Sequence, residues 1–284
     1  MKKSIKILVG FLAFIAVFVG TYFYAKYFGT IGFKVNEYII EDKNISEDYD
    51  GLQIVHLSDI HFDDDLNVDN FKKIISNVNL HKPDIVVFTG DLISNTISDE
   101  KYEELVEIMN TLEVSIGMYA IDGNHDYKYK RWNNLIEDCG FINLNDSYEV
   151  IYTDSYESIF IAGISNNTYT TKNIEDKSET IFDYLNSDEY NSTYNILLIH
   201  EPDFITDIDY KLFDIVMAGH SHNGQVRLPF IGAFYTPTNA KNYYKPYYNL
   251  DGTHFYISNG IGTSELPVRL FNKPSYNLYR IAKK

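Results

Sequence analysis

The sequence predicts an α/β domain, with helices covering sheets, behind one N-terminal transmembrane helix. Three observations lead there. An uncharged apolar run spans Ile7 to Ala25. From Phe33 onward, short apolar runs of strand length alternate with segments of helical period. No linker, repeat or low-complexity tract divides the remainder. The 284 residues therefore suit one large core rather than two small ones.

The first element is the apolar run. At 1.5 Å per residue it reaches roughly 28 Å, about the hydrocarbon thickness of a bilayer. It ends Tyr22-Phe23-Tyr24-Ala25, which lacks the small-x-small pattern of a cleavage site and suits an interfacial aromatic belt. An uncleaved anchor is thus preferred to a cleaved signal. A buried core helix fits poorly, because nothing polar interrupts any face of the run. Lys2, Lys3 and Lys6 precede it and outweigh Lys26 after it, so the amino terminus is expected in the cytoplasm and the rest outside. The expected partition is residues 1–6 cytoplasmic tail, 7–25 anchor, 26–32 linker and 33–284 domain, placed on the extracytoplasmic side of the cell membrane.

Within the domain, Gln53 to Leu57 reads as a strand. Phe71, Ile74, Ile75 and Val78 then recur at helical spacing, with Lys72 and Lys73 facing outward. Asp84 to Phe88 is an apolar run of the kind buried on both faces. A helix over about Asp99–Asn110 and a strand over Gly117–Ile121 follow. Later strands are read at Ser158–Ala162, Tyr194–Ile199, Phe213–Ala218 and His254–Ser258. The single cysteine, Cys139, has no partner for a disulfide. It lies where a helix stops at Gly140, as a small buried hydrophobe would.

The chemistry lies just past the strands. Five apolar runs each deliver an oxygen or imidazole donor at their carboxyl end: Asp59 and His61, then Asp91, then Asn124 with His125 and Asp126, then His200, then His220 and His222. In open α/β sheets that edge is where ligands bind. Side chains two apart in an extended segment point the same way, which pairs Asp59 with His61 and His220 with His222. Each fragment alone fits a satisfied core or surface residue; five in this order do not. His56, His81 and His254 are read as structural or solvated. Tyr243, Tyr244, Tyr247 and Tyr248 are read as packing residues that could rim a pocket.

This ordered set, Asp59-x-His61, Gly90-Asp91, Gly123-Asn124-His125-Asp126, His200 and Gly219-His220-x-His222, resembles the calcineurin-like metallophosphoesterase superfamily from about Phe33 to the end. The segments Gly224 to Pro229 and Gly260 to Arg269, with the apolar N-terminus, resemble a membrane-associated bacterial branch similar to lipid-sugar nucleotide pyrophosphatases. The resemblance implies two packed mixed sheets flanked by helices, with a binuclear metal centre at their carboxyl rim. It also implies ligand roles. Asp59, His61 and His222 would hold one divalent ion, Asn124, His200 and His220 the other, and Asp91 would bridge. With no thiolate in the set, Mn²⁺ is the first expectation, with Fe or Zn²⁺ as alternatives. A hydroxide shared by the two ions would attack phosphorus in line. His125 is left without an ion to hold and is the candidate general acid. Arg269 and Asn223 are candidate substrate contacts; Asn223 stands where relatives usually carry Gly, and Asn tolerates a left-handed backbone.

Composition narrows the function further. Hydrophobic residues at 45% and charged residues at 23% exclude a disordered chain. A formal charge of −16 repels nucleic acid, which disfavours the nuclease alternative of the same fold. Protein phosphatases of the superfamily carry Asp and Arg soon after Gly-Asp and Glu after Asn-His. Here Leu92-Ile93-Ser94-Asn95 and Asp126 stand instead, so that class is disfavoured. The expected activity is hydrolysis of a phosphodiester, pyrophosphate or phosphomonoester bond, diesters and pyrophosphates being favoured, on a lipid or envelope-related substrate. A membrane-tethered binding protein with structural metals is the rival from another class. It has no use for His125 beside a complete ligand set.

Overall fold

A computed structural model describes residues 2–43, 45–62, 65–152, 157–166 and 171–284; Met1 and the side chain of Lys2, part of the expected cytoplasmic tail, lie outside the described residues. The strands are β1 (Lys34–Asp42), β2 (Gln53–Leu57), β3 (Ile85–Thr89), β4 (Gly117–Ile121), β5 (Ile142–Asn143), β6 (Ser147–Tyr152), β7 (Ser158–Gly163), β8 (Tyr194–Leu198), β9 (Ile215–Ala218), β10 (Arg227–Leu228), β11 (Gly232–Ala233), β12 (Tyr247–Leu250), β13 (Thr253–Ile257) and β14 (Ser275–Lys283). The α-helices are α1 (Lys2–Tyr27), α2 (Val68–Leu80), α3 (Asp99–Met109), α4 (Trp132–Asp138) and α5 (Thr171–Leu185).

Two six-stranded mixed sheets result, in the orders β1-β14-β2-β3-β4-β5 and β12-β13-β9-β8-β7-β6. In the first, β2, β3, β4 and β5 run parallel, and β14 lies antiparallel to β2. In the second, β7, β8, β9 and β13 run parallel, with antiparallel strands at both edges. The strand period of two sorts the core into layers. Ile54, Ile85, Val87, Ile121, Ile159, Ile196, Leu198, Ile215 and Met217 pack between the sheets. Their neighbours Val55, Leu57, Val86 and Phe88 face the opposite way and meet Phe71, Ile74, Ile75 and Val78 of α2, with side chains of α3 and α4. The far face of the second sheet meets Ile181 and Leu185 of α5. Ser98 caps α3 by accepting the Lys101 N–H, and Asn67 caps α2 by accepting that of Asn70.

The apolar run lies within α1. Its span Lys3–Tyr27 is long and apolar enough to cross a membrane, and none of it is covered by the rest of the protein apart from the C-terminal turn at Ala25. Cys139 is buried at the end of α4, where burial pushes its thiol up to about 12; it is a packing residue.

Candidate metal centre and pocket

The parallel strands of both sheets end along one rim, and the donor residues gather there. Asp59, His61 and His222 bring one donor atom each within 4.8 Å of one another. So do Asp91, His200 and His220, and so do His61, Asp91 and His125. Asp91 belongs to two of these groups, with one carboxylate oxygen 3.3 Å from His200 Nε2 and 3.7 Å from His61 Nε2. Asn124 Oδ1 lies 3.1 Å from His200 Nε2. All seven residues read as ligands are thus adjacent.

The backbone reaches this arrangement differently from the extended segments expected. Asp59, His61, Asp91, His220 and His222 all have positive φ, between 45° and 63°. Left-handed non-glycine residues are uncommon and cost on the order of 1–3 kcal/mol each, and they cluster at functional sites. Amide hydrogen bonds hold them: the His220 N–H donates to both Asp59 carboxylate oxygens (2.9 and 3.1 Å), and the His125 N–H donates to Asp91 (2.9 Å). Two glycines permit the approach. A Cβ on Gly123 would lie 2.2 Å from Asp91 Oδ1, and one on Gly219 would lie 2.1 Å from Ser58 Oγ.

The donor set fits divalent cations. His200 Nδ1 is 2.6 Å from the carbonyl of Thr89 and His220 Nε2 is 2.7 Å from that of Thr238. A carbonyl only accepts, so each ring spends one N–H there and turns its other nitrogen inward, as metal-ligating histidines do. Burial disfavours a charge on His200, but the Asp91 carboxylate outweighs it and raises that ring to about 10, so its inward nitrogen must release a proton for an ion to bind. The Nε2 atoms of His61 and His222 lie 3.2 Å apart, close enough for one cation to meet both nitrogens. Burial lowers the pKa of His61 to about 4 and of His220 to about 3, and holds His222 well below 6.5, so all three are neutral donors. Burial raises Asp59 to about 6. It pushes Asp91 up as well, but the charge and hydrogen bond of His200 outweigh it and hold that carboxyl well below its ordinary value.

His125 is half-buried; its Nδ1–H donates to the Ser94 carbonyl (2.8 Å), leaving Nε2 available. Asp126, next to His125, does not lie on the surface. It is fully buried and accepts the N–H groups of Gly123, Leu92 and Ile93, clamping the turn that follows Asp91. Arg269, a candidate substrate contact, is fully buried and does not line the pocket. Its donors go to the carbonyls of Gly262 and Asn259, and its Nη2 lies 3.2 Å from His222 Nδ1, behind the rim. Asn223 has φ 49°, as its left-handed tolerance allows. Its Oδ1 accepts from Arg227 and it too lies off the pocket wall. A motif arginine and a glycine substitute carry no sign of which way they face. None of Tyr243, Tyr244, Tyr247 or Tyr248 lines the pocket, and neither do His81 or His254.

Some contributors had no sequence signal. Ser94 sits on an irregular loop. Glu201, directly after His200, is buried on the pocket wall, its Oε1 3.8 Å from His220 Nε2, and burial raises its carboxyl to about 7. The pocket is a cavity of ≈910 Å³. Its lining joins the donors Asp91, Asn124, His125, His220 and His222 to the apolar Val226, Phe234, Tyr235, Leu266 and Val268, with Glu201, Gln225 and Glu265 among them.

Two mixed sheets with histidines and aspartates along a shared rim define a metallophosphoesterase. The calcineurin-like phosphoesterase profile matches residues 52–224, and the chain belongs to that family. Its members work with divalent metals, and the groups above can hold them. The uncharacterised metallophosphoesterase YkuE of Bacillus subtilis is 30% identical over 266 residues, covering 92% of this chain and 90% of its own. The UDP-2,3-diacylglucosamine pyrophosphatase LpxG of Chlamydia trachomatis is 28% identical over 219 residues, 63% of this chain and 66% of its own. Among solved structures, GAP50, "the anchor in the inner membrane complex of Plasmodium", superimposes with a TM-score of 0.51 at 13% identity over 81% of each chain, a likeness of fold alone.

Proposed function

We propose that this chain is a membrane-anchored, extracytoplasmic phosphoesterase that uses two divalent ions, Mn²⁺ by preference. Its substrate is a phosphodiester or pyrophosphate of a lipid or envelope precursor. The carrying observation is that Asp91 belongs to two donor groups and lines a cavity whose remaining lining is largely apolar. Asp59, His61 and His222 would hold one ion and Asn124, His200 and His220 the other, with Asp91 shared. When bound, such ions supply charge that orients phosphoryl oxygens and activates water for in-line displacement. The chain's residues do the rest. Asp91 and Asp59 keep the donors in register through the amides of His125 and His220. His125, its Nδ1–H fixed on Ser94, gives a proton from Nε2 to the departing oxygen. The apolar wall receives a non-polar substituent. The resemblance to a lipid-sugar pyrophosphatase supports the substrate class.

Chelation followed by Mn²⁺ addition tests this reading, with hydrolysis of a diester and a pyrophosphate as readout. Activity should vanish and return. Asp91→Asn should cost most among the ligand variants and lower the bound metal, measured by elemental analysis. Full turnover by the stripped protein would refute the reading.

A further inference from the structure

The apolar wall of the cavity continues out of it onto the surface. The turn joining β10 to β11 carries Phe230 at 109% exposure and Ile231 at 75%, and Phe234, just after β11, is at 73%. Leu266 and Phe271 add 63% and 68%. Phe230 also has φ 67°, a left-handed backbone that is costly for a bulky residue. A strained turn that holds out a phenylalanine and an isoleucine is poorly suited to water.

This patch is tied to the end of α1. Ala25, inside the apolar run, is buried against Val268, Leu270 and Val226, and its carbonyl accepts the Arg269 N–H (3.0 Å). The Leu270 carbonyl accepts the Arg227 N–H (2.9 Å), and the Val226 carbonyl accepts that of Phe234 (2.9 Å). Only a few hydrogen bonds separate the last turn of the apolar helix from the exposed hairpin. If α1 spans a bilayer, whatever packs on Ala25 lies at that bilayer's boundary. Lysines flank the patch although the chain is strongly acidic: Lys26 on α1, Lys241 over the Tyr235 ring, and Lys273, which donates to the carbonyls of Phe28 and Ile31. Apolar tips with basic flanks are what an interfacial segment presents to acyl chains and anionic headgroups.

We propose that the Pro229–Tyr235 hairpin, with Leu266 and Phe271, embeds in the surface of the bilayer that α1 enters. The catalytic cavity then opens at lipid level and takes its ester from an amphiphile within the membrane. The inference rests on the anchor reading above and adds a second membrane contact made by the domain itself.

Tryptophan quenching in the full chain tests it. Phe230→Trp and, separately, Ile231→Trp would be reconstituted in vesicles of phosphatidylcholine and phosphatidylglycerol whose acyl chains are brominated. Native Trp132 is buried and gives a constant background. Leu80→Trp serves as control. It is 77% exposed at the end of α2, which leads back to the start of β3 and so lies at the sheet edge opposite the rim. The emission added at 230 and 231 should be largely lost to bromine, and that added at 80 retained. Equal emission at all three positions in protein that resists carbonate extraction would overturn the hairpin contact alone. Release of the protein by carbonate would overturn the anchor reading and this inference with it.

Discussion

Asp59 is held by a buried relay whose direction can be read atom by atom. The Ser58 hydroxyl donates to Asp59 Oδ2 (2.6 Å), so it must accept from Thr89 (2.9 Å), which in turn accepts from His56 Nε2 (2.7 Å). His56 Nδ1 then accepts from Tyr279 (3.3 Å), whose oxygen accepts from Asn277 (2.9 Å). A relay with this sense needs a neutral His56, and burial lowers its pKa to about 3. Between pH 6.5 and 3 the unfolded chain therefore binds a proton that the folded chain refuses. The contribution is complete above pH 6.5 and drains at about 1.4 kcal/mol per pH unit as pH falls. His56→Gln keeps a donor and an acceptor but does not titrate. Its urea midpoint in detergent should approach that of the wild type as pH drops from 6.5 toward 3; a gap constant with pH would contradict the neutral relay. His125 makes a separate prediction. If it protonates the leaving oxygen, His125→Ala should leave bound metal nearly unchanged and slow an alkyl phosphodiester by ~10²–10⁴-fold. An aryl ester, whose phenolate departs unaided, should slow far less. Equal losses on both esters would assign His125 to phosphoryl binding, and lost metal would make it a ligand.

At the scale of elements, the sequence showed some strands and hid others for a physical reason. β3 over Ile85–Phe88 and β8 over Ile196–Leu198 are apolar runs because both faces are covered, and such runs are conspicuous. β1 and β14 went unread. In β14 buried polar side chains replace apolar ones: Asn277 and Ser275 accept from Asn36 across the pair, and Tyr279 belongs to the relay. The donors were legible in identity and order because each follows a strand. The left-handed turns that aim them were not, since positive φ at Asp, His and Asn leaves no mark in composition. Only the neighbouring glycines hinted at it. Gly219→Ala tests how tightly these turns are made. Its Cβ would fall 2.1 Å from Ser58 Oγ and 2.6 Å from Asp59 Oδ2, so the turn must shift and carry Asp59 away from His222, now 3.4 Å off. Bound metal should fall while the circular dichroism spectrum stays native-like. Gly252→Ala is a fit control, because a Cβ there meets nothing, although its φ of 112° carries a strain of its own. Equal metal content in the two variants would contradict the packing argument.

Across the whole molecule, charge and the proposed anchor together bear on where the enzyme can act. A chain of net charge −16 repels polyanions and anionic surfaces at long range, so a phosphate-bearing substrate must be met at short range. The proposed tether would meet that need by holding the cavity beside the membrane. Its direction follows from the flanking charges. Lys2, Lys3 and Lys6 lie on the amino side of the apolar run and Lys26 on the other, so the amino end should stay in the cytoplasm and the domain should be outside. Moving the basic residues should then move the domain. A carboxyl-terminal tag on the wild-type chain should be cut by protease added to intact cells or protoplasts, and the protein should stay with the membrane fraction. Replacing Lys3 and Lys6 with Gln while adding two lysines after Tyr27 should reduce cleavage, because the charge bias then favours the inverted insertion. A tag protected in the wild type would reverse the orientation. A shortened form released to the medium would identify the run as a cleaved signal, and the cavity would then have to find its substrate without the tether.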